Sequence, residues 1–315
     1  MKKQYFFLTT SLFLIVIVYL GPDFMTLSPY IQNLRLTKLI GMALAVALLI
    51  PSTIAFQTLV ASSYLSPAIL GMDALYLFLH TGLAWLFPIS QASSLSNVML
   101  NLGQALIMVS FTWLLLARIK IQEIQQLNQG KWLMIGLVFG NVLRAMTQFL
   151  QAMMDPSDFL SLQSYLQASF QGLTWPQLMV TGLVTWICLG IIYLNRHLLD
   201  VFQLGPSSAQ TLGVNVSRAV RLLMIVIVIM VQAATALVGP LTFLGFLIAN
   251  VTDRFSASHR HLHKLNLAIL IGAISLIGGQ LLVERLINFR LSLTIILEGL
   301  GGLVFFILLF RRQTP

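Results

Sequence analysis

LGPSSAQTLGV, residues 204–214, is a polar interruption between two apolar runs, and its reading decides the fold. The runs on either side, 176–195 and 219–238, each supply the roughly 20 apolar residues a helix needs to cross a hydrocarbon core. The interruption is too polar for lipid, and too rich in Gly, Pro and Ser to carry one helix through. Two spans joined by a short polar connection are the repeating unit of a polytopic helical membrane protein, and the flanking sequence continues it.

Of the 315 residues, 58% are hydrophobic and 9% charged, against roughly 25% charged in a soluble domain. Apolar runs bounded by charges, Gly, Pro or polar clusters give spans near 5–21, 36–56, 67–87, 97–117, 132–153, 176–195, 219–238, 240–251, 265–286 and 291–310. That is about ten transmembrane helices in one all-α membrane domain, 1–315. A β-barrel is excluded, because its strands would alternate in polarity over segments of about ten residues. The run 240–251 is too short to cross and starts at Gly239-Pro240, so it is expected to be a half-helix covered by protein or by a water cavity. Met1-Lys2-Lys3 and the run to Leu20 resemble a signal peptide, but Gly21-Pro22-Asp23 offers no small-x-small cleavage site. The run is read as an uncleaved first span. Cys188, the single cysteine, excludes a disulfide framework.

The formal charge of +9 comes from basic residues scattered singly, so sorting across a membrane explains it better than nucleic-acid binding. With Lys2 and Lys3 inside, the cytoplasmic side collects 13 of the 18 Lys and Arg. Arg35, Lys38, Arg285 and Arg290 fall outside, and Arg144 falls within a span. Both termini and the 204–214 stretch are therefore expected in the cytoplasm.

A nucleotide-binding GxxxxGK[ST] loop is missing: the one Gly-Lys pair, Gly130-Lys131, precedes Trp132 and has Gln125 where the first Gly belongs. No catalytic constellation and no cofactor site is read, and the chain is not expected to be an enzyme. His259, His261 and His263 alternate with Arg260 and Lys264 in a connection, a pattern that fits a solvated basic loop better than a metal site. Asp73, Arg144 and Glu298 are charges within spans, which usually face protein or a cavity. Arg144 and Glu298 fall at similar depth, which allows a charge pair, either structural or lining a pathway. In 204–214, Ser207 or Ser208 could cap a short helix and Gly213 could end it in a left-handed conformation. The plainer alternative is a turn between two spans.

Five stretches, in order, resemble the iron-siderophore and vitamin B12 class of ABC importer permeases, the FecCD-like class. LGPSSAQTLGV resembles that class's LG-x-x-x-A-x-x-LG coupling loop, matched at Gly205, Ala209, Leu212 and Gly213. RLTK (35–38) resembles RLPR, and Gln57 with SSYLSPAILG (62–71) resembles Q followed by RNPLAxPxxLG. GPLTFLGFLIAN (239–250) resembles GxIxFVGLIxPH, and Gly301-Gly302 with Phe305 resembles GAPxF. Ala249-Asn250 in place of Pro-His, Leu281 in place of Asp and Leu303 in place of Pro depart from the class. They resemble a branch that pairs with a different permease chain.

The resemblance implies a type II importer permease in a bacterial inner membrane, driven by alternating access and taking up a ferric siderophore. Cobalamin, haem or zinc/manganese are alternative cargoes, and a non-transporting membrane sensor or scaffold is the alternative of another class. It implies three partners besides lipid: an ABC ATPase subunit, a periplasmic or lipid-anchored substrate-binding protein, and a second permease chain, with a heterodimer favoured. The element about 201–216 would contact the ATPase through Ala209 and Leu212, shaped by Gly205 and Gly213. Arg35, Lys38 and Arg285 would receive glutamates of the binding protein, a steering contact; interfacial anchoring by snorkelling side chains is the other reading.

Overall fold

Pro29 opens a helix of 32 residues that organises the others. At its first position a missing N–H is no loss, since that group has no partner inside a helix. The computed structural model describes residues 2–21, 28–63, 65–68, 71–86, 103, 106–110, 129–166, 169–256, 258, 260–285 and 293–311. Its helices are α1 (Lys2–Leu20), α2 (Pro29–Val60), α3 (Met72–Leu86), α4 (Gln129–Ala152), α5 (Pro156–Leu166) and α6 (Trp175–Leu194). They continue with α7 (Arg196–Phe202), α8 (Pro206–Thr211), α9 (Val216–Val238), α10 (Leu244–Phe255), α11 (His261–Arg285) and α12 (Leu293–Arg311). Among the described residues there is no strand, as the all-α reading requires. Among the described residues four helices, α2, α6, α9 and α11, are long and apolar enough to cross a membrane.

Helix α2 packs against α6, α7, α9, α10 and α11. Met42, Leu48, Ile50 and Ile54 of α2 are fully buried, as are Leu223 and Ile227 of α9. In lipid such contacts gain packing rather than escape from water, so fit decides them. Pro51 lies inside α2, and nearby the Ser52 and Thr53 hydroxyls both donate to the Leu49 carbonyl. Hydroxyls of this kind supply polar partners around a proline in a membrane helix.

Cross-helix contacts fix the directions. Tyr5 Oη donates to the His263 carbonyl and Arg285 to that of Val18, so α1 and α11 run parallel. Thr58 meets His261 and Lys38 meets Glu284, so α2 runs against α11. Helices α3 and α4 run parallel, with Gly71 at Gly140 and Gly82 at Leu150. This arrangement is expected if one further span separates them. That expected span, 97–117, lies outside the described residues except for Gly103 and 106–110, which are helical. The starts of α1, α9 and α11 thus share one end of the bundle with α7 and α8, while Gly21 and Arg285 mark the other.

The described residues between α2 and α3 are non-helical yet buried at Ser62, Leu65, Ser66 and Ala68. Its backbone needs partners. The Ser63 carbonyl receives the side-chain amides of Gln57, at 2.9 Å, and of Asn250, at 3.3 Å. Two stretches singled out by sequence therefore meet, and Asn250 serves as the donor that joins them. Helix α10, at 12 residues, spans about 18 Å at ~1.5 Å per residue, short of the ~30 Å hydrocarbon thickness. It is the expected half-length helix, beginning at Leu244 rather than Pro240. Two helices were not anticipated: α5, in the polar stretch before α6, and α7, fused almost directly to α6.

Candidate functional site

Helix α8 is a knob of six residues closed at both ends. Gly205 caps it with φ +93°, and Pro206 occupies the first helical position. The serine cap expected from sequence is not formed: Ser207 and Ser208 lie inside the helix, because Pro206 has already preset its first turn. At the other end Gly213 has φ +79°, its N–H donates to Gln210 O and the Val214 N–H to Ala209 O. This is a Schellman closure, which needs a residue tolerant of left-handed φ. Asn215 then caps α9 by accepting from the Arg218 N–H.

The face that α8 presents differs from expectation in one residue. Ala209 is fully buried, in the same apolar cluster as Leu199, Phe202 and Val220, so it seats the knob and presents nothing outward. Leu212 is 62% exposed and Leu204 65% exposed, and Gln210 and Thr211 are exposed beside them. A short helix lying on α7 and α9 must turn one side down, and Ala209 has the small side chain that side accepts.

At the opposite end, the three cations expected to receive glutamates of a binding protein each have a partner within the chain as well. Arg35 donates to the Leu20 carbonyl and Arg285 to that of Val18. Those carbonyls end α1, where positive charge is favoured by the helix dipole. Lys38 pairs with Glu284 at 3.3 Å, and Gln280 donates to the same carboxylate at 2.8 Å. Sequence spacing did not reveal Glu284 or Gln280 as partners, since they lie some 245 residues from Lys38. Arg290 lies outside the described residues. Each terminal cation contributes about 0.3–1 kcal/mol, so Arg35→Ala with Arg285→Ala should loosen the end of α1. A Leu20→Cys thiol should then react with an impermeant maleimide about five-fold faster, roughly the effect of 1 kcal/mol. The native Cys188 is buried and should give little background. An unchanged rate would remove this role.

Within the bundle, Asp73 is buried in the first turn of α3 and accepts from the Thr242 hydroxyl at 3.1 Å. Arg144 and Glu298 are both exposed, and among the described residues they form no salt bridge, although they stay within electrostatic range of each other. Arg144 instead donates to Asn141 of its own helix at 3.3 Å. Both nevertheless lie within electrostatic range of Asp73, so the three form one charged neighbourhood. Asn141, Arg144 and Gln148, three and four residues apart, make a polar stripe on the exposed face of α4. Their spacing was visible in the sequence, but only the structure turns the stripe outward.

The basic loop expected at 259–264 is largely replaced by structure. His259 lies outside the described residues, but His261 is fully buried, bonded to Asp200, while His263 carries the Tyr5 contact and Lys264 pairs with Asp253.

The family described as the FecCD transport family matches residues 7–311. The petrobactin import system permease protein YclO of Bacillus subtilis (strain 168) is 30% identical over 283 residues, 89% of this chain and 88% of that one. The vitamin B12 import system permease protein BtuC of Vibrio cholerae is 25% identical over 324 residues, 98% of this chain and 94% of that one. A solved structure described as an inward-facing conformation of a metal-chelate type ABC transporter superposes with TM-score 0.82 at 19% identity. It covers 98% of this chain and 99% of that one, and it shows the shared fold.

Proposed function

We propose that this chain, which belongs to the FecCD transport family, carries a ferric siderophore across a bacterial inner membrane as the permease subunit of an ABC importer. The observation that carries this reading is the match along nearly the whole chain to a permease named for petrobactin import. ATP would be hydrolysed by a separate subunit acting on the α8 knob, and both termini would lie in the cytoplasm with it. A loaded binding protein would dock at the far end, around Arg35, Lys38 and Arg285. There the Arg285 side chain stays exposed while bound to α1. Alternating access requires each partner to bind two states of the permease unequally; contact surfaces at opposite ends give each its own place to do so. A second permease chain would complete the pore, and the departures at Asn250, Leu281 and Leu303 favour a different chain as that partner. Cobalamin transport is the second reading, favoured by the end-to-end similarity to BtuC.

The exposed stripe of α4 is proposed to face the cargo pathway. An Arg facing lipid near mid-membrane would cost about 2.5–3.5 kcal/mol, so water or a partner chain is the better environment for Arg144. Arg144→Met should lower uptake without raising thermal stability. A gain in stability with unchanged uptake would assign this face to lipid. For the cargo, a strain lacking this chain should be supplied with single ferric siderophores as its only iron, and with cobalamin separately. Loss of growth on one siderophore class is expected. Normal growth on every chelate would overturn the reading.

A further inference from the structure

Asp200 stands in α7, six positions before Pro206 opens the knob. Its Oδ1 accepts two hydrogen bonds from one residue of another helix, the His261 backbone N–H at 2.8 Å and the His261 imidazole Nδ1 at 2.8 Å. A carboxylate of this kind only accepts, so the ring proton on that side sits on Nδ1. The other ring nitrogen, Nε2, lies 2.9 Å from Thr58 Oγ1 near the end of α2. It also lies 3.4 Å from Gln203 Nε2, in the turn that leads into α8. The His261 side chain is 0% exposed. Since His261 is also the first residue of α11, one imidazole ties together α2, α7, α11 and the approach to the knob. Asp200 serves α11 as an N-terminal cap supplied from another helix, a position where negative charge and an acceptor are both favoured.

A rigid knob moves a membrane bundle only through what fastens it. Helix α8 touches α7 and α9, and α7 in turn packs on α2, α6 and α11. Apolar contacts can slide, whereas two directed bonds from the buried His261 to one half-buried carboxylate hold a fixed geometry. We propose that His261 and Asp200 form a latch that carries displacement of α8 into α2 and α11. They are positioning residues, touching neither cargo nor nucleotide. This rests on α8 being the contact for the ATPase.

The test uses the whole importer, permease with ATPase and binding protein, in proteoliposomes. ATP hydrolysis and cargo uptake are measured side by side, and Gln210→Cys reports contact with the ATPase by crosslinking. His261→Ala and Asp200→Ala should keep the crosslink and most of the hydrolysis. Uptake per ATP should fall by about ten-fold, within the 5- to 150-fold range typical of coupling between sites. Asp200→Asn keeps an acceptor oxygen and should restore most of that ratio. The double alanine variant should be no worse than either single one, as for two members of one unit. Uptake and hydrolysis falling in parallel, or an unchanged ratio, would show a plain helix cap and overturn the latch. Failure of Gln210→Cys to crosslink in the otherwise unaltered chain would overturn the coupling reading, and the latch with it.

Discussion

Leu212→Asp should reduce ATP-driven uptake about ten-fold or more, with the protein still inserted in the membrane at normal amounts. Leu212 is a large apolar side chain, 62% exposed, at the tip of a knob whose backbone is closed at both ends. It makes little contribution to its own chain, so the substitution leaves the fold intact. A rigid apolar anchor of this kind, entering a groove on a partner, typically accounts for about 2 kcal/mol or more of an interface, and each 1.4 kcal/mol is ten-fold in affinity. The aspartate also brings a charge that the groove would have to desolvate. The measurement is uptake together with co-purification of the ATPase subunit, and both should fall together. Thr211→Asp, one position away, should do less because a smaller apolar surface is lost. Normal uptake by Leu212→Asp would remove α8 as the contact and leave it a capped turn between α7 and α9.

Gly71→Leu should abolish accumulation of folded protein. Gly71 has φ +90°, and a Cβ placed on it would lie 2.9 Å from the Gly140 Cα and 3.1 Å from the Gly140 nitrogen. The backbone conformation alone costs a non-glycine residue about 1–3 kcal/mol. The overlap adds about 1–3 kcal/mol more, because the opposing atoms are main chain and cannot rotate aside. The sum, roughly 2–6 kcal/mol, is a large part of the ~5–15 kcal/mol that holds a typical protein folded. Gly140→Ala is the milder companion, since its Cβ would meet Gly71 Cα at 3.3 Å. The readout is the amount of monodisperse protein extracted in detergent and its melting temperature. A normal melting temperature for Gly71→Leu would mean that α3 and α4 do not pack through these glycines.

Much of the architecture could be read directly from residue order. Each described long helix falls on an expected apolar run, because length and hydropathy alone decide what can cross lipid. The closure of the knob at Gly213 was legible for a similar local reason: a left-handed position following a short polar helix calls for glycine. The half-length α10 was legible from the count of apolar residues after Gly239-Pro240. The failures share a different character. Ala209 was expected to point outward, yet its direction depends on which side of α8 lies on α7 and α9. Lys38 was read as a docking charge with no partner named inside the chain, and Glu284, which pairs with it, lies far along the chain on an antiparallel helix. His261 was assigned to a solvated loop because its neighbours in sequence are basic and polar. Its neighbours in space are Asp200, Thr58 and Gln203.

The sequence by itself determined that this is a polytopic helical membrane protein, where its polar knob falls, and which family's motifs it carries. These are properties of local composition and spacing, set by the fixed thickness of a bilayer and the need of each helix to satisfy its own backbone. Only the tertiary structure decided which charges are bonded within the chain and which stay exposed. It fastened Arg35 and Arg285 to the end of α1, left the stripe around Arg144 exposed on α4, and buried His261 against Asp200 of α7 and Thr58 of α2. A hydrogen bond requires its two atoms within about 3 Å, and residues 60 or 250 positions apart reach that distance only when the whole bundle has packed.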